Sequence, residues 1–120
     1  MEKSDKIFIA GASGMVGSAI IRNLLSKGFT NLIGSIHSRM LDEQKDTPVK
    51  HMKLDLSNQA SVNTFFQQEK PDHVFLAAAK VGGIHANNTY PAQFIYENLA
   101  MQNNIIHAAC LSNVKRLLFM

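Results

Sequence analysis

The chain is poor in cysteine, proline and aromatic residues, and it has no long apolar run. Its 120 residues include one cysteine, Cys110, three prolines, two tyrosines and no tryptophan. A single cysteine excludes an internal disulfide and fits a reducing compartment. No stretch approaches the roughly 18 consecutive apolar residues of a membrane helix. The short, polar start before Lys6 lacks the apolar core of a signal peptide. We therefore expect a cytoplasmic protein with no membrane partner. The formal charge is +3, from 12 basic and 9 acidic residues. The lysines are scattered and form no basic run, which argues against nucleic-acid binding. His37, His51, His73, His85 and His107 show no metal-ligand spacing with Cys110 or with one another, so no metal site is expected. Neither a G-x-S-x-G elbow nor a Walker G-K-[ST] sequence occurs.

The residues that are present describe one small folded domain. Apolar residues make up 46% of the chain and charged residues 18%, ordinary values for a domain with a real core. Lys6 to Ala10 is a short, continuously apolar strand, as befits a central parallel strand buried on both faces. A helix over Met15 to Lys27 places Val16, Ile20, Leu24 and Leu25 on one side, and Gly28 falls where a C-cap glycine belongs. Asn31 to Ile36 reads as a second strand and Val49 to Leu54 as a third, whose alternating lysines suit an edge. Gln59 to Glu69 forms a helix with Val62, Phe65 and Phe66 inward, followed by a strand over His73 to Ala77. A helix over Ala92 to Leu111, with Cys110 as a packed core thiol, and a strand from Lys115 complete the series. Strands alternating with helices predict a parallel α/β sheet of Rossmann type, order 3-2-1-4-5, with helices on both faces. The fifth strand is an open apolar edge, so we expect further chain beyond Met120.

Between the first strand and its helix lies Gly11-Ala12-Ser13-Gly14-Met15-Val16-Gly17. Strand, glycine turn and helix in that order are what a dinucleotide site needs, although a G-x-x-G-x-x-G turn can also merely link a strand to a helix. The glycines allow a tight turn, close approach to a pyrophosphate and close helix–sheet packing, and the helix N-terminus offers free N–H groups and a positive dipole. Gly11, Ser13, Gly14, Met15, Val16 and Gly17 are therefore candidate cofactor-binding residues. An NAD site usually carries a carboxylate about 20 residues beyond the glycines, to hold the ribose 2′-hydroxyl. Here that region reads Ile36-His37-Ser38-Arg39. Arg39 could pair with a 2′-phosphate, which favours NADP. Asp55 and Leu56, following the third strand, are placed for the adenine, though Asp55 could instead cap the next helix. Ala77, Ala78 and Ala79 let backbone approach the cofactor, or fit beneath a neighbouring helix. Gly82-Gly83 permits a sharp loop, and His85, Asn87 and Asn88 follow in a polar stretch at the carboxyl ends of the strands, where ligands bind. Asn98 and Asn104 are unusual in an apolar helix and imply specific hydrogen bonds.

The run Ala77-Ala78-Ala79-Lys80-Val81-Gly82-Gly83-Ile84, with Ala86-Asn87-Asn88-Thr89-Tyr90-Pro91 close behind, is far more specific than the glycines. Phe94-Ile95-Tyr96-Glu97-Asn98 and Asn104-Ile105-Ile106-His107-Ala108-Ala109 extend it. From Lys6 to Met120 the chain resembles the N-terminal part of the GDP-L-fucose synthase family, which are extended short-chain dehydrogenase/reductases. The resemblance implies an NADP-dependent enzyme that epimerises a GDP-4-keto-6-deoxy-D-mannose at C3 and C5 and then reduces C4 to give GDP-L-fucose. It also implies a GDP-sugar partner and a homodimer. By resemblance, Gly11, Gly14 and Gly17 contact the pyrophosphate, Arg39 the adenosine phosphate and Asp55 the adenine. Ala77 to Ala79 line the cofactor, and Val81, Gly82, Gly83 and Asn87 lie near the substrate. Two stretches depart from the family. Ser13 stands where bacterial members often carry arginine, and Ser35 to Lys53 is longer.

The family's active-site serine and cysteine, its Tyr-x-x-x-Lys pair and its histidine acid all map beyond Met120. Tyr90 and Tyr96 have no lysine four residues later. No catalytic residue is therefore assigned, and we expect a cofactor-binding portion without catalysis of its own. A related NAD(P)-dependent sugar-nucleotide epimerase or reductase, and a noncatalytic dinucleotide-binding module, are the alternatives.

Overall fold

The fold was analysed in a computed structural model that describes residues 1–36, 48–78 and 91–119. Arg39, Ala79, Val81, Gly82, Gly83 and Asn87 lie outside the described residues. Five strands, β1 (Ile7–Ala10), β2 (Leu32–Ile36), β3 (Lys50–Lys53), β4 (His73–Leu76) and β5 (Arg116–Phe119), form one sheet. Their order is β3-β2-β1-β4-β5, and every pairing is parallel. The helices among the described residues are α1 (Met15–Ser26), α2 (Gln59–Glu69) and α3 (Pro91–Leu111). This is the Rossmann-type arrangement that the alternation of elements predicts.

β1 runs through the centre, and all four of its residues are fully buried. Alternate side chains point to opposite faces. Phe8 and Ala10 join Phe65 and Phe66 of α2 and Ile105, Ala108 and Ala109 of α3, while Ile7 and Ile9 join Ile21 and Leu24 of α1. The Phe8 ring centroid lies 4.4 Å from that of Phe65 and 5.8 Å from that of Phe66, the latter pair edge to face. Each such ring contributes roughly 2–3 kcal/mol by leaving water.

Helix ends follow local chemistry. Asn58 caps α2 by accepting the Ser61 N–H at 3.0 Å, so Asp55 is not needed for that role. α1 closes with the Gly28 N–H on the Leu25 carbonyl and the Phe29 N–H on the Leu24 carbonyl, a Schellman motif with glycine at C′. The same motif ends α3 at Asn113, whose φ is 59°.

Two expectations about helix faces are corrected. Val16 is exposed, and the inward residues of α1 are Gly17, Ile21 and Leu24. Gly17 must sit against the preceding turn, which rotates position 16 outward by about 100°. Cys110 is exposed rather than packed, because Ile105, Ala108 and Ala109 take the inner face of α3.

At the amino ends of the strands, a polar cluster ties the chain together. Asp5 Oδ2 lies 2.8 Å from Nε2 of buried His73. A carboxylate only accepts, so Nε2 carries the proton. Asp72 accepts the Lys6 N–H at 2.8 Å, and Lys115 lies within 4 Å of both Asp5 and Asp72. The opposite end of the sheet is left to the site.

Candidate dinucleotide-binding cleft

A cleft of about 750 Å³ opens at the carboxyl ends of the strands, where ligands bind in open α/β sheets. Gly11, Ser13 and Gly14 of the turn between β1 and α1 line it, together with Ser35 and Ile36 of β2. The segment Leu54–Ser57 after β3 and Ala77 and Ala78 after β4 add two further sides. Tyr96, Glu97, Ala100 and Met101 of α3 form a further wall.

The three glycines of the turn differ in what they exclude. Gly11 has φ of 86°, and a Cβ there would lie 2.7 Å from the Ala78 backbone. A Cβ on Gly17 would lie 2.0 Å from the Gly11 carbonyl oxygen. Both positions are dictated by the protein's own packing. Gly14 is different: its φ of −75° and ψ of 170° suit any residue, and its nearest neighbour to a Cβ is 3.6 Å away. Among the described residues nothing requires glycine at position 14, where the bare backbone lines the cleft at the N-cap of α1. No side chain caps that helix start and no acidic residue occupies its first turn. The first-turn N–H groups, which lack intrahelical acceptors, are thus available to an anion.

Buried Ser35 holds the turn in place. Its Oγ accepts the Gly11 N–H at 3.0 Å, and its carbonyl accepts the Ala12 N–H at 2.8 Å. On the far side, Asp55 Oδ1 accepts from both the N–H of Ser57 at 3.0 Å and its hydroxyl at 2.6 Å. This Asx turn fixes the carboxylate beside the cleft.

Of the candidate residues within the described portion, Gly11, Ser13, Gly14, Asp55, Leu56, Ala77 and Ala78 come together around the cleft. Gly17 lies beneath the turn rather than in the lining. Met15 and Val16 line a separate, shallow apolar groove beside α1. Ser35 and the α3 wall were missed by sequence reasoning. Ser35 had a signal, a hydroxyl inside the otherwise apolar strand Leu32–Ile36. The α3 residues had another, the i, i+3, i+4 spacing of 97, 100 and 101. Among the described residues no group of histidine, cysteine and carboxylate side chains could hold a metal ion, and no helix is long and apolar enough to cross a membrane.

A glycine turn at the head of a parallel sheet of this order, opening on a cleft, defines a Rossmann fold. The chain belongs to the NAD dependent epimerase/dehydratase family, whose model matches residues 7–120. Within that family it is closely homologous to the GDP-L-fucose synthases. It is 55% identical over 119 residues to GDP-L-fucose synthase 1 of Arabidopsis thaliana, covering 99% of this chain and 32% of that protein. Among solved structures, DdhaC is 50% identical with a TM-score of 0.85, over 99% of this chain and 30% of its own. MlghC, a GDP-mannoheptose C4 reductase from Campylobacter jejuni with NADP bound, is 43% identical with a TM-score of 0.80, over 99% of this chain and 33% of its own. The chain spans about a third of the length of the curated relatives it matches.

Proposed function

We propose that this chain is the cofactor-binding portion of an NADP-dependent epimerase-reductase that converts GDP-4-keto-6-deoxy-D-mannose to GDP-L-fucose. The observation that carries the reading is Gly14, a glycine that the packing of the described residues does not need, set at an uncapped helix start in the wall of a nucleotide-sized cleft. Homology to the GDP-L-fucose synthases supports the substrate class, and the NADP named in the Campylobacter structure supports the cofactor.

In this reading the first-turn N–H groups of α1 and the backbone around Ser13 and Gly14 hold the pyrophosphate. Leu56 packs on the adenine and Asp55 accepts from its amino group. Ala77, Ala78 and Ala79 admit the ribose, and Arg39 pairs with the 2′-phosphate. Val81, Gly82, Gly83 and Asn87 approach the sugar nucleotide. The bound cofactor supplies hydride for a C4 reduction. The chain itself contributes binding and orientation, because proton transfer needs a positioned acid that none of its assigned residues provides. Its setting is the cytoplasm, its partners are a GDP-sugar and a second subunit, and neither nucleic acid nor membrane is bound. The similarity to a GDP-mannoheptose C4 reductase favours a second reading, a reductase of another GDP-linked 4-keto sugar with the same cofactor site.

Calorimetric titration of the folded chain with NADPH and NADH tests the cofactor assignment. Saturable binding with NADPH the tighter ligand is expected, without turnover of a GDP-sugar. Equal affinity for both would remove the role given to Arg39. Binding of neither would refute the cofactor reading.

A further inference from the structure

Asn104 lies inside α3, half-buried beside an inner face of Ile105 and Ala108. Asparagine is a poor helix former, and a half-buried amide must find a partner. Its partner is distant in sequence: Nδ2 donates to the Leu56 carbonyl at 3.0 Å, across 48 positions. Leu56 sits between the end of β3 at Lys53 and the start of α2 at Gln59, so no strand or helix ladder claims that carbonyl. The Leu54 N–H of the same segment donates to the Ile36 carbonyl of β2 at 3.1 Å. Asp55 Oδ1 accepts from Ser57, and the Asn58 N–H donates to the Asp55 carbonyl.

Asn104 also shares a helix face with Glu97, Ala100 and Met101, at spacings of seven, four and three. Those residues form one wall of the cleft, and Leu54–Ser57 forms another. The Asn104–Leu56 bond therefore joins the two walls. We infer that Asn104 is a positioning residue of the nucleotide site, a tether that sets the gap between the 54–57 segment and α3 and so shapes the compartment for the adenosine end of the cofactor. This rests on the cofactor reading proposed above. Asn104 is not itself among the residues lining the cleft and acts through the Leu56 backbone.

Two variants separate positioning from bulk stability. Asn104→Ala removes the amide while favouring the helix, and Asn104→Asp keeps the shape but loses the donor. Each is titrated with NADPH, with 2′,5′-ADP and with nicotinamide mononucleotide, and amide hydrogen exchange at Ser57 and Asn58 is followed without ligand. Loss of one hydrogen bond of this kind is expected to weaken NADPH and 2′,5′-ADP alike, by about five-fold. Nicotinamide mononucleotide binding stays unchanged, and exchange at Ser57 and Asn58 quickens while Ile105 stays protected. Folded variants that bind 2′,5′-ADP like the wild type, or exchange at Ser57 and Asn58 at the wild-type rate, would overturn the inference. Wild-type chain that binds no nucleotide would refute the cofactor reading itself, and the exchange rates alone would then decide whether Asn104 holds the segment.

Discussion

Replacing Gly14 and Gly17 separately by alanine divides the glycine turn into a part that serves the fold and a part that serves the ligand. At Gly17 the new methyl would lie 2.0 Å from the Gly11 carbonyl oxygen and 2.8 Å from its carbon. Neither atom is the end of a flexible side chain, so backbone must shift by about 1 Å or more. Overpacking of this kind costs about 1–3 kcal/mol, which for a domain of this size lowers Tm by roughly 4–12 °C. At Gly14 the methyl meets nothing closer than 3.6 Å. Alanine is a poorer N-cap than glycine, but it also restricts the unfolded chain, a gain of about 0.4–1 kcal/mol. The two effects offset, and Tm should stay within about 3 °C of wild type. The methyl nevertheless occupies the approach to the first-turn N–H groups, and NADPH affinity should fall at least about ten-fold, the equivalent of one lost charge-assisted hydrogen bond. Melting followed by circular dichroism at 222 nm gives the first quantity and calorimetry the second. A Gly14→Ala protein that melts like Gly17→Ala, or that binds NADPH like wild type, would refute the reasoning.

Ser35→Ala leaves the Gly11 N–H without its acceptor. A loss of about 1–3 kcal/mol is expected, with weaker NADPH binding measured alongside by calorimetry. Phe8→Ala empties the junction with Phe65 and Phe66, and about 3–5 kcal/mol of stability should disappear in urea unfolding. The Asp5 carboxyl is held below its ordinary value of 3.8, chiefly by the hydrogen bond from His73. Burial opposes this, while the Glu2 N–H and the charges of Lys115 and His73 add to it. A depressed folded-state value means that the unfolded chain binds more protons in between. The contribution is therefore complete above the unfolded pKa and is lost as pH falls through the folded one. Asp5→Asn should flatten the fall in Tm below about pH 4, and an unchanged acid limb would contradict that assignment.

Local chemistry made much of this molecule readable from its residues. The four-residue apolar run of β1, the glycines after it and the Asn58 cap each act over a few positions, and strand alternation with helices fixes the sheet order through the handedness of crossovers. Errors arose where contacts between distant segments decide. Val16 looked inward by periodicity, but the close packing of Gly17 on Gly11 turns α1 by one position. Cys110 lies in an apolar stretch, yet the face that packs is set by Ile105, Ala108 and Ala109. Ser35 grips a turn 24 residues away, a contact that no local pattern contains. Asn104 was conspicuous as a polar residue in an apolar helix, but its partner Leu56 belongs to a loop defined by the tertiary fold. Arg39, Val81, Gly82, Gly83 and Asn87 lie outside the described residues, so the roles given to them towards cofactor phosphate and substrate are part of the proposal.

The central claim is that the cleft at the carboxyl ends of the strands holds a dinucleotide. Mapping amide chemical shifts of the isotope-labelled chain during addition of NADPH tests it most directly. The account expects saturable shifts confined to the turn from Gly11 to Gly17, the segment from Leu54 to Ser57 and Ala77–Ala78, with the amino-terminal cluster around Asp5 and His73 unmoved. Shifts centred on the groove beside Met15, Val16 and Phe75, or no shifts in a folded chain, would contradict it.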